Sequence, residues 1–242
     1  FCLSRGLGDV YKRQLKDRCG SEIRTHYPLV LENEINIMQQ ESTRYDTDGM
    51  QVTMPKYMDE IVAEITHLAR KSPDISQRSG VSVRVSICNY ENVISNAVRR
   101  SIRVDEKTVS PRISDLVAIH ASTAGKIEME TLGDGREDRI IDRLVQGAVQ
   151  TVFDRYFAMQ ELEELTDTFD RGLYVDVSHA MPSMKYVSQA AEVRGLRSAV
   201  ARLGAQGNPA AIASAVEFIL EGLHLNKKLN KDVSDGAARY RG

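Results

Sequence analysis

The sequence predicts a mainly α-helical protein, and three observations support that prediction. Apolar residues recur at three- and four-residue spacing through several long stretches, which is the pattern of a helix with one buried face. Two dipeptides, Ser110-Pro111 and Asn208-Pro209, have the capping residue followed by proline that favours a helix start. The chain of 242 residues is 42% hydrophobic, which is enough to build a substantial core.

Residues 77–103 form the stretch around which the rest of the chain is organised. Ser79-Gly80 breaks the backbone, and Ser82 is placed to cap a helix by accepting a hydrogen bond from a free N–H group. The apolar face predicted for this helix consists of Val83, Ile87, Tyr90, Ile94, Ala97 and Val98. Three arginines near its end suit the negative end of the helix dipole, and these are Arg99, Arg100 and Arg103.

Arg84 lies in the first turn of the same helix, where a cation faces the positive end of the dipole. That position costs a few tenths to about 1 kcal/mol unless an anion offsets it. One interpretation is an exposed arginine bonded to water or to a nearby carboxylate, and spacing alone favours it. The other is a side chain that binds a phosphate group.

The other predicted elements are also mostly helical. Further helices are expected at 29–41, 58–69, 110–122, 139–157, 184–203 and 209–223. Short strands or extended links are expected at 21–27, 126–131 and 173–177, the first as the last strand of a sheet whose other strands are missing. The polar segment 225–242 is expected to fray.

Two motifs resemble the magnesium-chelatase ATPase subunit and its MoxR-like relatives, a branch of the AAA+ ATPases. The first motif resembles the helical lid of that family. It consists of the turn, Ser82, Arg84 and the helix, followed by VSPRISDL at 109–116. LKDRCG at 15–20 resembles the family's L-x-D-R-F-G segment, with Cys19 in place of the aromatic residue. The resemblance covers about residues 15–121.

The resemblance implies specific roles for two arginines. Arg84 would be the sensor-2 residue of the lid, which touches the nucleotide phosphates. Arg18 would be an arginine finger that acts in trans on the nucleotide site of a neighbouring subunit. Without the resemblance, a salt bridge from Arg18 to Asp17 or Glu22 is the ordinary expectation.

The resemblance also implies cofactors and partners. The full-length parent would use ATP and Mg²⁺, assemble as a homo-oligomeric ring (a hexamer) and act with a von Willebrand factor A-domain partner in the cytoplasm. It would couple ATP hydrolysis to remodelling of a partner protein or to metal insertion. Substrate, and the choice between cis and trans action of Arg84, stay open.

Several catalytic motifs are missing from the sequence. It contains no G-x-x-x-x-G-K-[ST] loop and no hydrophobic strand ending in Asp-Glu, so we expect this fragment neither to hydrolyse ATP nor to bind its cofactors alone. Five scattered histidines and three distant cysteines predict no metal site and a reduced compartment. The balance of 32 basic and 34 acidic residues favours neither nucleic acid nor a membrane as partner.

Two other functions stay open beside the ATPase interpretation. The first is a non-enzymatic helical scaffold or regulatory interaction module. The second is a DNA-binding helix-turn-helix protein that uses Arg99 and Arg100, although the net negative charge disfavours it.

The expected organisation has five parts. Residues 1–14 resemble a translated sequencing-adapter tail, so the protein is expected to continue upstream. The other parts are the end of a truncated AAA+ core (15–28), a helical lid (29–125), a helical C-terminal region (126–225) and a polar tail (226–242).

Overall fold

Helices dominate the computed structural model, which describes residues 17–21, 23, 25–43, 49–76, 79–129, 136–234 and 236–242. Within these ranges the α-helices are α1 (Leu31–Glu41), α2 (Lys56–Lys71), α3 (Val83–Arg103), α4 (Ile119–Thr123), α5 (Arg136–Tyr156), α6 (Glu163–Asp170), α7 (Ser183–Glu192), α8 (Leu196–Arg202) and α9 (Pro209–Leu225). Short 3₁₀ helices cover Ile113–Ala118, Ala124–Lys126 and Met159–Leu162. The predicted mainly-α class is confirmed.

In the described part of the chain, five short strands accompany the helices. They are β1 (Gln51–Val52), β2 (Thr108–Val109), β3 (Tyr174–Ser178), β4 (Asn230–Ser234) and β5 (Ala237–Arg241). β1 and β2 pair in parallel, while β5 lies between β3 and β4 in an antiparallel sheet. The strand predicted at 173–177 is therefore confirmed.

The core is built around α9, which packs against α5, α7 and α8. Phe218 of α9 is fully buried, stacks on Tyr57 of α2 at 4.4 Å between ring centroids, and meets Phe153 of α5 edge-on at 5.6 Å. One continuous hydrophobic cluster runs from Ile35 to Tyr240. α2 packs closely on α5, so the helices on the two sides of the predicted boundary at residue 125 share this core, and the domain division stays a prediction.

Two of the three predicted helix caps are confirmed. The Ser82 hydroxyl accepts from the Arg84 N–H at 3.2 Å, and the Asn208 amide oxygen accepts from the Ala210 N–H at 3.0 Å. The helix start predicted at Ser110 is wrong, because its carbonyl accepts from Arg100 and the next carbonyl accepts from Ser214. These bonds hold both residues outside the helix, which begins as a 3₁₀ turn at Ile113.

The buried face of α3 differs from the predicted one. Of the six apolar residues expected to face the core, only Ala97 is fully buried, and the other five are half-buried. The fully buried face carries polar groups among its apolar ones and consists of Val85, Ser86, Asn89, Val93, Asn96, Ala97, Arg100 and Ser101. Apolar periodicity could not locate this face because Ser86, Asn96 and Arg100 are buried by bonding to residues far away in sequence.

The helix predicted at 184–203 is two helices. Gly195 adopts a left-handed φ of 81° between α7 and α8, and a Cβ at this position would lie 3.2 Å from the Leu165 backbone nitrogen. Glycine permits both the turn and this close approach.

The expectation that the polar segment 225–242 frays is also wrong, since Asn230–Ser234 and Ala237–Arg241 form β4 and β5. Tyr240 is 3% exposed and bonds through its hydroxyl to Glu221 of α9. On the outer face of the sheet, Arg239 pairs with Asp176 at 2.7 Å and Arg241 pairs with Asp232 at 2.8 Å. Cross-strand ion pairs and one buried tyrosine thus order a segment whose composition is polar.

The two other predicted strands do not form as expected. The described residues of 21–27 contain no strand, so the remnant of a sheet expected there is not seen. Tyr27 instead packs its ring under the Arg70 guanidinium at 4.7 Å, and its hydroxyl lies so near Gly80 that a Cβ there would be 2.6 Å away. In 126–131, the described residues form only an isolated bridge between Ile75 and Met129.

None of the helices in the described ranges has both the length and the apolar character needed to cross a bilayer.

Candidate functional site

Arg84 is exposed in the first turn of α3, a helix of 21 residues. Its backbone N–H is bonded to the Ser82 cap, but its guanidinium makes no hydrogen bond or ion pair with any residue that the structure describes. Among the described residues, therefore, no carboxylate pairs with its charge at the positive end of the helix. The guanidinium and the dipole together form a place where an anion would be stabilised.

A buried network around Glu34 fixes the position of this helix end. Arg70 donates to both Glu34 oxygens at 2.7 and 3.0 Å, and its Nε donates to the Val81 carbonyl at 3.0 Å. The Ser86 hydroxyl donates to Glu34 at 2.6 Å, so the residues on both sides of Arg84 are held to α1 and α2. The first turn of α3 is thus a rigid platform for an exposed arginine.

The turn before α3 is anchored on its other side by residue 128. The Ser79 hydroxyl bonds to the Glu128 carboxylate, and the Ser76 N–H donates to the Glu128 carbonyl at 2.8 Å. Together with the contact between Tyr27 and Gly80, these bonds join three chain segments at the base of α3.

Arg18 is also exposed and unpaired among the described residues, and so is the neighbouring Cys19 thiol. The first two residues of the LKDRCG motif and Glu22 lie outside the described residues. No described contact joins the Arg18 and Arg84 side chains. The structure does not bring the two predicted site residues together within one chain.

The VSPRISDL segment has a structural role that the sequence did not reveal. Asp115 is fully buried, and it accepts from Arg100 at 3.0 Å, from the Arg112 N–H at 2.9 Å and from Asn96 at 3.2 Å. Arg100 is 1% exposed, so the prediction that it merely suits the helix dipole is incomplete. His179, half-exposed beside the pair, lies 3.5 Å from the Asp115 carboxylate.

Arg112 joins the segment to the C-terminal half of the chain. It is fully buried, and it donates to the Met181 carbonyl at 2.9 Å and to the Ser183 hydroxyl at 2.8 Å. Its guanidinium also lies 4.6 Å from the centre of the Tyr186 ring. Glu106 completes the cluster by accepting from both the N–H and the hydroxyl of Ser183.

Three polar residues on α9 form a second buried network. Ser214 accepts from Tyr57 at 2.7 Å, Glu217 accepts from Tyr186 at 2.6 Å, and Glu221 accepts from Lys231 at 2.7 Å. Burial raises the pKa of Tyr57 and of Tyr186, so both hydroxyls stay protonated and donate. Because each carboxylate is satisfied by donors, these groups hold the core together and present no free base or nucleophile.

The sequence contains a weak signal for this α9 network. Ser214, Glu217 and Glu221 recur at spacings of three and four on a helix that is otherwise apolar. Such a polar stripe indicates buried partners, but it does not identify them.

Within the described part of the chain, no group of three His, Cys, Asp or Glu side chains is placed to hold a metal ion. Comparison with family models, with curated proteins and with solved structures yields no match to this chain.

Proposed function

We propose that this chain is the helical lid and C-terminal part of an AAA+ ATPase of magnesium-chelatase or MoxR type, in which Arg84 contacts the nucleotide phosphates. The observation that supports this most strongly is the exposed guanidinium in the first turn of α3, which has no partner among the described residues and is held on a rigid platform. An arginine of this kind pairs well with phosphate because its planar donors match two oxygens at once.

In this proposal the exposed Arg18 reaches a neighbouring subunit as an arginine finger. ATP and Mg²⁺ are bound by an upstream core, and the assembly is a cytoplasmic homo-oligomeric ring that works with a von Willebrand factor A-domain partner. Its work is the remodelling of a partner protein or the insertion of a metal. The α2–α5 packing supports rigid transmission of lid movement, because the predicted lid and the C-terminal helices share one core.

The alternative is a non-enzymatic helical scaffold or regulatory module. It is favoured by three apolar side chains that lie close together in sequence and are exposed to solvent, Ile23 at 86%, Leu29 at 83% and Val30 at 58%. If these side chains form one contiguous patch, it would be of the kind that binds other proteins. This alternative requires no nucleotide at Arg84.

The experiment that separates the two uses the protein extended upstream of residue 15. The ATPase proposal expects a phosphate-binding loop and a Mg²⁺-binding strand in the added sequence, and measurable ATP turnover. Replacing Arg18→Ala should lower turnover by about 10³-fold or more while ATP binding is nearly unchanged, because a finger acts mainly on the transition state. Undiminished turnover in that variant would rule out the finger.

Arg84→Ala in the same extended protein should weaken ATP binding by roughly 10-fold, the value of a lost charge-assisted hydrogen bond. The matched control is Arg103→Ala, since Arg103 is an exposed arginine at the other end of α3. Equal effects of the two substitutions would show that Arg84 acts only through net charge.

A further inference from the structure

A cleft of about 370 Å³ lies between α7, α8 and the start of α9, away from Arg84. Its walls are mainly small aliphatic side chains, and its polar side chains come from two residues only. The lining consists of Val187, Ala190, Arg197, Val200, Ala201, Ala205, Gln206, Gly207 and Ile212. The volume is in the range of pockets that bind small molecules.

The arginine of this cleft differs from the arginines of two other clefts on the molecule. In the cleft beside β3 and β5, Arg239 and Arg241 are both paired with aspartates. In the cleft between α2 and α5, Arg143 is paired with Asp74 at 2.9 Å. Both of those clefts therefore carry arginines whose charge is already neutralised.

Arg197 has no such partner. Its guanidinium makes no ion pair or hydrogen bond with the described residues, and the described lining of its cleft contains no carboxylate. The nearby Arg194, which is outside the cleft, pairs with Glu164 at 3.3 Å. The cleft thus combines an apolar wall with one positive charge, at its edge, that no described residue compensates.

We propose that this cleft binds a small organic anion, with its carboxylate on Arg197 and its apolar chain against Val200 and Ile212. The apolar wall contributes burial of the chain, and the guanidinium contributes a charge-assisted bond and selects the sign of the ligand's charge. Gln206, at the loop beside the cleft, adds an amide donor for the same carboxylate. This proposal is independent of the ATPase proposal.

The test is a titration of the 242-residue chain with hexanoate, followed by NMR of the Val187, Val200 and Ile212 methyl groups. Hexanoate should bind with a dissociation constant on the order of millimolar and shift these methyl signals. Acetate, which lacks the chain, and hexylamine, which has the opposite charge, should each bind at least about 10-fold more weakly. Equal shifts with hexanoate and hexylamine would overturn the proposal.

Two variants test whether the ligand binds in the cleft. Arg197→Gln should weaken hexanoate binding about 10-fold, whereas Arg194→Gln, the matched control, should leave it unchanged. Ala201→Leu should fill the cleft and abolish the methyl shifts, with folding checked by circular dichroism. No binding to the unmodified chain, or binding that neither Arg197→Gln nor Ala201→Leu reduces, would refute the site.

Discussion

Gly222 should be intolerant of even one added methyl group. It lies in α9 against Phe153 of α5, and a Cβ built on it would come within 2.5 Å of three ring atoms. Phe153 cannot move away easily, because it is fully buried and lies between the rings of Phe157 at 5.2 Å and Phe218 at 5.6 Å. The clash would therefore force two packed helices apart.

The expected magnitude follows from two opposing effects. In a helix interior alanine is better than glycine by about 1 kcal/mol, while overpacking a core costs about 1–3 kcal/mol and sometimes more. With three overlapping ring atoms the overpacking should win, and Gly222→Ala should lower the free energy of unfolding by about 1–2 kcal/mol.

Gly147 of α5 provides a matched control, because a Cβ there would be 3.3 Å from the flexible end of Leu68. Gly147→Ala should be neutral or stabilising by up to about 1 kcal/mol. Urea unfolding followed by circular dichroism measures both variants. Equal stability of the two variants would refute the packing argument. If the argument holds, adding Phe153→Leu should partly restore the free energy of unfolding that Gly222→Ala loses.

Three further predictions concern buried polar groups. Burial raises the pKa of Asp59 to about 7, so the folded state holds a proton that the unfolded state loses near pH 4. The free energy of unfolding should therefore fall as the pH rises from about 4 to about 7. Asp59→Asn should flatten that fall in urea unfolding, and an unchanged pH profile in this variant would contradict the prediction. Asp115→Ala should cost about 3–5 kcal/mol of unfolding free energy, because it leaves Arg100 buried without a counter-charge, and a loss below about 1 kcal/mol would show that water reaches the site. Tyr240→Phe should lower the free energy of unfolding by about 1–2 kcal/mol and speed amide hydrogen exchange in β5, because Glu221 loses a donor. Unaltered exchange would mean that the hydroxyl does not stabilise the sheet.

The features that sequence predicts well here depend on neighbours along the chain. The caps at Ser82 and Asn208 are local hydrogen bonds, so residue type and spacing are enough to find them. The helix predicted at 58–69 is also found within α2, and its apolar residues Met58, Ile61, Val62, Ile65 and Ala69 are fully buried. Local rules suffice wherever the partner is within one turn.

The features that sequence misses depend on distant partners. Asn96 and Arg100 look like solvent-facing residues until Asp115 is placed beside them. In the same way, the charged residues of β5 predict a disordered segment from sequence alone. The strand is stabilised by the bond between Arg239 and Asp176, which are 63 residues apart in sequence. A buried polar face can be recognised only when the donor and the acceptor of each hydrogen bond are both known.

The candidate site follows the same rule. The sequence distinguishes Arg84 from Arg70, Arg100 and Arg112 only by its place in the first turn of a helix, and it does not show which of the four has a partner. The structure separates them, since Arg84 alone among these four has no described partner. The helix spacing predicted where Arg84 would lie, but only the folded chain reveals that no described residue compensates its charge.

The most direct measurement is an NMR titration of the 242-residue chain with ATP, observing the backbone amides at the start of α3. Because this fragment lacks the phosphate-binding loop, we expect no complete nucleotide site and only a weak contact between the ATP phosphates and Arg84, with a dissociation constant of roughly millimolar. This contact should shift the amides of Ser82, Arg84 and Val85, and the shifts should be lost in Arg84→Gln and retained in Arg103→Gln. Adenosine, which lacks phosphates, should leave these amides unshifted. Absence of any shift with ATP, or equal shifts in the Arg84→Gln and Arg103→Gln variants, would contradict the claim that Arg84 receives a phosphate.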